Sequence, residues 1–150
     1  MTAREIFEKV RAALLRQNVQ SIKYIPCFKR VKCAYRGINQ NKCAIGHLIP
    51  NKKYRRCMEG NPIRNIFIGD QELKNILLPS DLTYEDGITF LTDLQYIHDY
   101  YEPERWEKRF NEFEKKYFPG EWSEKIEEFA QQFYEFAENY FKKDVKNDKS

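Results

Sequence analysis

The segment Cys33-Ala34-Tyr35-Arg36-Gly37-Ile38-Asn39-Gln40-Asn41-Lys42-Cys43-Ala44-Ile45-Gly46 decides whether the chain is all-α or α+β. Two short runs flank the turn-forming stretch 37–41 and read as a β-hairpin. The pleat constrains its register. If Cys33 and Tyr35 share a face with Cys43 and Ile45, paired positions sum to an even number and the loop holds an odd number of residues. Arg36 and Lys42 then share the opposite face.

Helices are expected on both sides. Thr2-x-x-Glu5 is a capping box, and Ile6, Phe7, Val10, Ala13 and Leu14 form the stripe of a first helix ending near Asn18. Residues 19–32 show no clear period, and Pro26 argues against a central strand there. Beyond the segment, His47-Leu48-Ile49-Pro50 leads into a short helical turn over 51–56, and Glu59-Gly60-Asn61-Pro62 is a break. Residues 65–68 read as a short strand or extended connection. Asp70 caps a short helix through Leu77, stopped by Pro79, and Thr83-x-x-Asp86 caps a helix from Tyr84 to Tyr101. Pro103 suits the first turn of the next helix. Trp106, Phe110, Phe113 and Tyr117 follow at spacings of 4, 3 and 4, then Pro119-Gly120 interrupts. Trp122, Ile126, Phe129, Phe133, Phe136 and Tyr140 continue at 4, 3, 4, 3 and 4, a heptad-like seam. The expected fold is one predominantly helical α+β domain over residues 1–141. It has a small antiparallel β-hairpin packed on helices, a C-terminal αα-hairpin, and a polar tail at 142–150.

With 41% hydrophobic residues and 15% aromatics, 150 residues can build a real core. No apolar run approaches the roughly 18–20 residues of a membrane span, and the first residues lack the apolar region of a signal peptide. The expectation is a cytoplasmic protein with reduced cysteines and no membrane partner.

Charge is divided unevenly. Residues 1–66 carry fifteen Lys/Arg against Glu5, Glu8 and Glu59, whereas residues 67–150 carry eleven against twenty acids. Between residues 19 and 66 Glu59 is the sole acid. Such a block repels itself unless something anionic sits nearby, either the acidic half or a ligand. Its cations are interleaved with Tyr24, Phe28, Tyr35 and Tyr54, the mixture that binds phosphate and stacks on bases. The preferred contacts are Tyr35, Arg36, Lys42, His47, Tyr54 and Arg55, where a short loop can also offer backbone N–H groups to an anion. The blander alternative is a solvated face paired with the acidic helices.

Three other signals are weaker. Cys27, Cys33, Cys43 and Cys57 are separated by five, nine and thirteen residues, without the close pairs of a structural zinc site, so no metal or cofactor is expected. Cys43 with His98 and Asp99, or with His47, would supply nucleophile, base and orienting acid for a Cys/His hydrolase. Against it, the register places Cys43 on the apolar face, and His98 lies on a helix beside Leu94 and Tyr101. The seam over 122–140 is either core or a face for a second copy or another protein, with Glu121, Glu124, Glu127, Glu128, Glu135 and Glu138 outside it.

Cys33-x-Tyr35-Arg36-Gly37, then Lys42-Cys43-Ala44-Ile45-Gly46-x-Leu48-Ile49-Pro50 and Tyr54, resembles a family of small uncharacterised proteins of bacteriophages and bacterial genomes. The helix start at 2–7 and Leu94-Gln95-x-Ile97-His98-Asp99 are similar to it too. In that pattern an acid often follows the proline, where this chain has Asn51. The resemblance implies no reaction. It implies a phage accessory protein in the host cytosol that works by binding. Such a protein would sequester a nucleotide signal or block a nucleic-acid-handling host defence complex.

Overall fold

A computed structural model of the chain describes residues 1–25, 30–120 and 126–134. The chain divides into two compact units, Met1–Asn111 and Glu112–Ser150. Helix α1 (Ala3–Gln17) opens on the expected capping box. Thr2 Oγ1 accepts from the Glu5 N–H at 3.2 Å, and the Glu5 carboxylate accepts from the Thr2 N–H at 2.7 Å. Asn18 closes it in the left-handed region at φ 48°, a conformation Asn tolerates well. Asp70 caps α4 (Gln71–Leu77), Thr83 caps α5 (Tyr84–Tyr100), and Pro103 begins α6 (Pro103–Tyr117). The fold is α+β and predominantly helical, with one two-stranded antiparallel sheet among the described residues.

The hairpin is not where the sequence reading puts it. Strands β1 (Ile22–Ile25) and β2 (Arg30–Cys33) pair with Ile22 opposite Cys33 and Ile25 opposite Arg30. Paired positions therefore sum to an odd number. Residues 26–29, with Pro26, Cys27, Phe28 and Lys29, lie outside the described residues.

The expected second strand, 42–46, is instead the start of helix α2 (Ala44–Leu48). Cys43 is its N-cap, with Sγ accepting the Gly46 N–H at 3.3 Å. Ala44, Ile45 and Leu48 are buried. The helix packs on α1 and α5. Gly46 permits a close crossing, because a Cβ there would stand 2.1 Å from the Tyr35 carbonyl oxygen. A Cys43/Ile45 alternation over five residues cannot separate period 2 from one helical turn. Residues 65–68 are likewise not extended: Ile63–Ile66 form α3, followed by a turn.

The core of the first unit joins α1, α2, α5 and the start of α6. Phe7 and Phe110 meet edge to face, with centroids 6.1 Å apart. Trp106 stacks on His98 at 5.6 Å and donates its indole N–H to Tyr101 O at 2.8 Å. The first aromatic positions of α6 are thus packed on α1 and α5. In the second unit α6 runs on to Tyr117, where Phe113 and Tyr117 rings lie 4.5 Å apart, and residues 126–134 are helical. Trp122, Phe136, Tyr140 and the 142–150 tail lie outside the described residues.

Candidate anion-binding site

The short loop after β2 runs Ala34-Tyr35-Arg36-Gly37 and turns back through a 3₁₀ turn, Ile38–Gln40. Its backbone N–H groups are the anion cradle the sequence offers. The chain fills that cradle itself. Glu59 accepts from the Tyr35 N–H at 3.0 Å, the Arg36 N–H at 2.9 Å and the Tyr54 hydroxyl at 2.9 Å. Gly60 follows at φ +77°, which lets the chain turn directly behind the carboxylate. Tyr35 and Tyr54 are correspondingly occupied. The buried Tyr35 ring sends its hydroxyl to Asn61 O at 2.8 Å, and Tyr54 lies under Arg36, 5.3 Å from guanidinium carbon to ring centroid.

Side-chain charge remains beside this filled cradle. Arg36 Nη2 donates to Ile49 O at 2.7 Å and Asn51 Oδ1 at 3.1 Å, both neutral acceptors. Its Nη1 is buried and has no hydrogen-bond partner among the described residues. Burial lowers the Arg36 pKa, an effect that Tyr54, Cys43 and Glu59 oppose. Burial also lowers that of Lys42, and the charge of Arg36 lowers it further, so the two cations share one neighbourhood.

His47 reports the same field. Its pKa falls to about 4 through burial first, then the charges of Lys42 and Arg36, with smaller contributions from His98 and Lys9. The imidazole is therefore neutral at pH 7. Gln17 fixes its tautomer. The Gln17 amide nitrogen donates to Val19 O and Lys42 O, so its Oε1 is the acceptor for the Lys42 N–H at 2.9 Å and for His47 Nε2–H at 3.2 Å. Gln17, the last residue of α1, thus positions both Lys42 and His47.

The acidic helices take other cations. Lys53 pairs with Asp70 at 3.5 Å and with Glu72, and Arg64 forms a forked pair with Glu85 at 3.2 and 2.7 Å. Arg55 faces the same way. The Asp70 carboxyl is held down by the Leu73 N–H, then by Lys53 and Arg55, against a desolvation that raises it. The six expected contacts therefore separate. Arg36, Lys42 and His47 share one neighbourhood, with Arg36 over Tyr54, while Tyr35 points away and Arg55 belongs to the α4 side. Among the described residues neither Arg36 nor Lys42 has a carboxylate in ion-pair reach.

Tyr35 points into a cleft of about 660 Å³ whose lining includes Cys33, Cys43, Glu59, Asp99 and the stacked Tyr96–Tyr100 pair. Cys33, Tyr35 and Cys43 do meet, but across this cleft and not along a hairpin. The Cys/His grouping lies here, and its geometry is structural. Cys43 is fully buried, its thiol raised by burial. His98 Nε2 accepts the Ser21 N–H at 2.8 Å, so its proton is on Nδ1, which donates to Asp99 Oδ1 at 2.8 Å. The nitrogen that would serve as base thus faces a backbone donor. Cys33 is the thiol beside this pair, and burial followed by Asp99 raises it to about 12. A thiolate nucleophile needs the opposite shift. Among the described residues Cys33, His98 and Asp99 are also the one group with metal-ligand proximity, yet both nitrogens of His98 are already hydrogen-bonded.

Gln17, Glu59 and Gln95 carry most of the positioning. Gln95 accepts from the Ile45 N–H at 3.0 Å, capping α2, and donates to Asp99 at 2.6 Å. Glu59 has a compositional signal in the sequence, as the lone acid of the basic block, and Gln95 appears only within the resembling stretch 94–99.

A scan of family models and comparisons with curated proteins and with solved structures found no match to this chain. Among the described residues no helix is long and apolar enough to cross a membrane.

Proposed function

We propose that this chain is a non-enzymatic binding protein that takes a phosphate-bearing partner, a nucleotide or nucleic acid, on the Arg36–Lys42 face. The observation that carries the reading is the pairing pattern. Acidic helices neutralise Lys53 and Arg64, while Arg36 and Lys42 keep neutral acceptors or none. Asn51 sharpens it. In the family that the sequence resembles, an acid often follows the proline; here the residue touching the guanidinium is an uncharged amide. The accessory role implied by that resemblance, countering a host defence by sequestering a nucleotide signal or blocking a nucleic-acid-handling complex, is the setting in which such a face would act.

The test is fluorescence anisotropy with a labelled single-stranded oligonucleotide and with labelled ATP, at several salt concentrations. Arg36→Ala and Lys42→Gln should each weaken binding of one of these probes by about fivefold to tenfold and reduce the salt slope by about one. Equal affinity in both folded variants, checked by circular dichroism, would sink the reading.

A further inference from the structure

We propose that the cleft into which Tyr35 points is a second ligand site, suited to a guanine nucleotide. Neither Arg36 nor Lys42 lines this cleft, so the inference does not rest on the anion face.

Three observations meet there. The first is a stacking wall. Tyr96 and Tyr100, one turn apart on α5, stack with centroids 4.2 Å apart, yet stay 46% and 70% exposed. Tyr96 also meets Tyr101 edge to face at 5.8 Å, whereas among the described residues Tyr100 has no ring on it besides Tyr96. A planar ring of base size continues such a stack. The cleft, at about 660 Å³, has room for one with its sugar.

The second is one unfilled acceptor. Two carboxylates line the cleft. Glu59 is filled by the Tyr35 and Arg36 N–H groups and the Tyr54 hydroxyl. Asp99 Oδ1 accepts from His98 and Gln95, but among the described residues nothing donates to Oδ2. The Asp99 side chain is 29% exposed, so a ligand can reach it. A carboxylate oxygen takes N–H donors. Guanine presents two side by side, its ring N–H and its amino group. Adenine sets a ring lone pair beside its amino group, and uracil flanks its N–H with carbonyls. Both bring an acceptor against the carboxylate, which repels it.

The third is charge at the mouth. Lys32 lines the cleft, and Lys23 is its direct partner across the hairpin, so both side chains leave the same face. Like charges directly opposite destabilise a ladder. Among the described residues neither lysine has a carboxylate in ion-pair reach. A phosphate there offsets the repulsion, and the same two lysines disfavour an organic cation as the occupant.

Isothermal titration calorimetry of the full chain tests this. Guanosine carries no phosphate and so isolates the cleft from the Arg36–Lys42 face. It should bind at least about tenfold more tightly than adenosine. GMP should bind more tightly still, and Lys32→Gln should remove most of that gain. Tyr100→Ala, at an exposed position, should weaken guanosine and adenosine alike by about tenfold. Asp99→Asn should bring the two nucleosides to within about twofold of each other. Asp99 also holds His98, so if that variant loses the parent's circular dichroism, the Tyr100 and Lys32 variants decide. No guanosine binding up to its solubility limit overturns the proposal, as does equal affinity for guanosine and adenosine in the parent. Guanosine binding that Tyr100→Ala leaves unchanged overturns it too, and so does tighter binding of agmatine than of GMP, which would mark an amine site.

Discussion

Asn51→Asp is the sharpest probe of the anion face, because it changes charge with little change of shape. Asn51 Oδ1 lies 3.1 Å from Arg36 Nη2. An aspartate there sets a carboxylate against the guanidinium at ion-pair distance. The site is partly exposed, so the net gain in folding stability is only about 0.5–1 kcal/mol. The effect on a bound anion is larger. A phosphate on Arg36 would stand about 6 Å from the new carboxylate, and at an effective dielectric constant of about 40 the repulsion is roughly 1.4 kcal/mol, a factor of about ten. The variant should therefore melt slightly higher and bind the labelled oligonucleotide or ATP at least about tenfold more weakly. Asn51→Ala removes the acceptor without adding charge and should change affinity by no more than about twofold. Anisotropy at low salt and a thermal melt read both quantities on the same samples. If Asn51→Asp binds as tightly as the parent, Arg36 is not a contact; if Asn51→Ala is equally weakened, the loss comes from loop geometry and the electrostatic reasoning fails.

Gly46→Ala should cost roughly 2–3 kcal/mol in a urea melt, because its Cβ would stand 2.1 Å from the Tyr35 carbonyl oxygen, a backbone atom that cannot rotate away. His47 gives a pH dependence of fixed sign. With its pKa lowered from 6.5 to about 4, the unfolded chain takes up the proton first, so the contribution is complete above about pH 6.5 and is lost as pH falls toward 4. After allowance for solvent screening of a half-buried ring it amounts to about 1–2 kcal/mol, read as the difference in urea midpoints between the parent and His47→Gln across that interval.

The parts of the fold legible in the sequence are those set by local chemistry. Thr2 with Glu5, Asp70, Thr83 and Pro103 mark helix starts because their side chains or ring act within one turn. The hairpin was displaced because Cys43-Ala44-Ile45-Gly46 satisfies two periods over so short a span. What decides between them is remote: Gln95 capping Ile45, and the Tyr35 carbonyl lying where only Gly46 leaves room. In the candidate site, Arg36 and Lys42 were legible as cations of a block with one acid, but not whether the acidic helices would pair with them. Gln17 was not, since an uncharged amide at a helix end leaves no trace in composition or period. The Cys-Ala-Ile-Gly run proves to be a packing device: a cap, two buried side chains and a close crossing.

Glu59 has a consequence for selectivity. A carboxylate tethered within the same fold competes for the Tyr35 and Arg36 N–H groups at an effective concentration of millimolar or more. A dilute free anion does not displace it. Backbone cradles read the shape of a single phosphate, whereas side-chain cations such as the half-buried Arg36 and Lys42 respond to charge density along a chain of them. With its cradle permanently plugged, this face should rank ligands by the number and spacing of their charges, favouring a strand or a polyphosphate over inorganic phosphate.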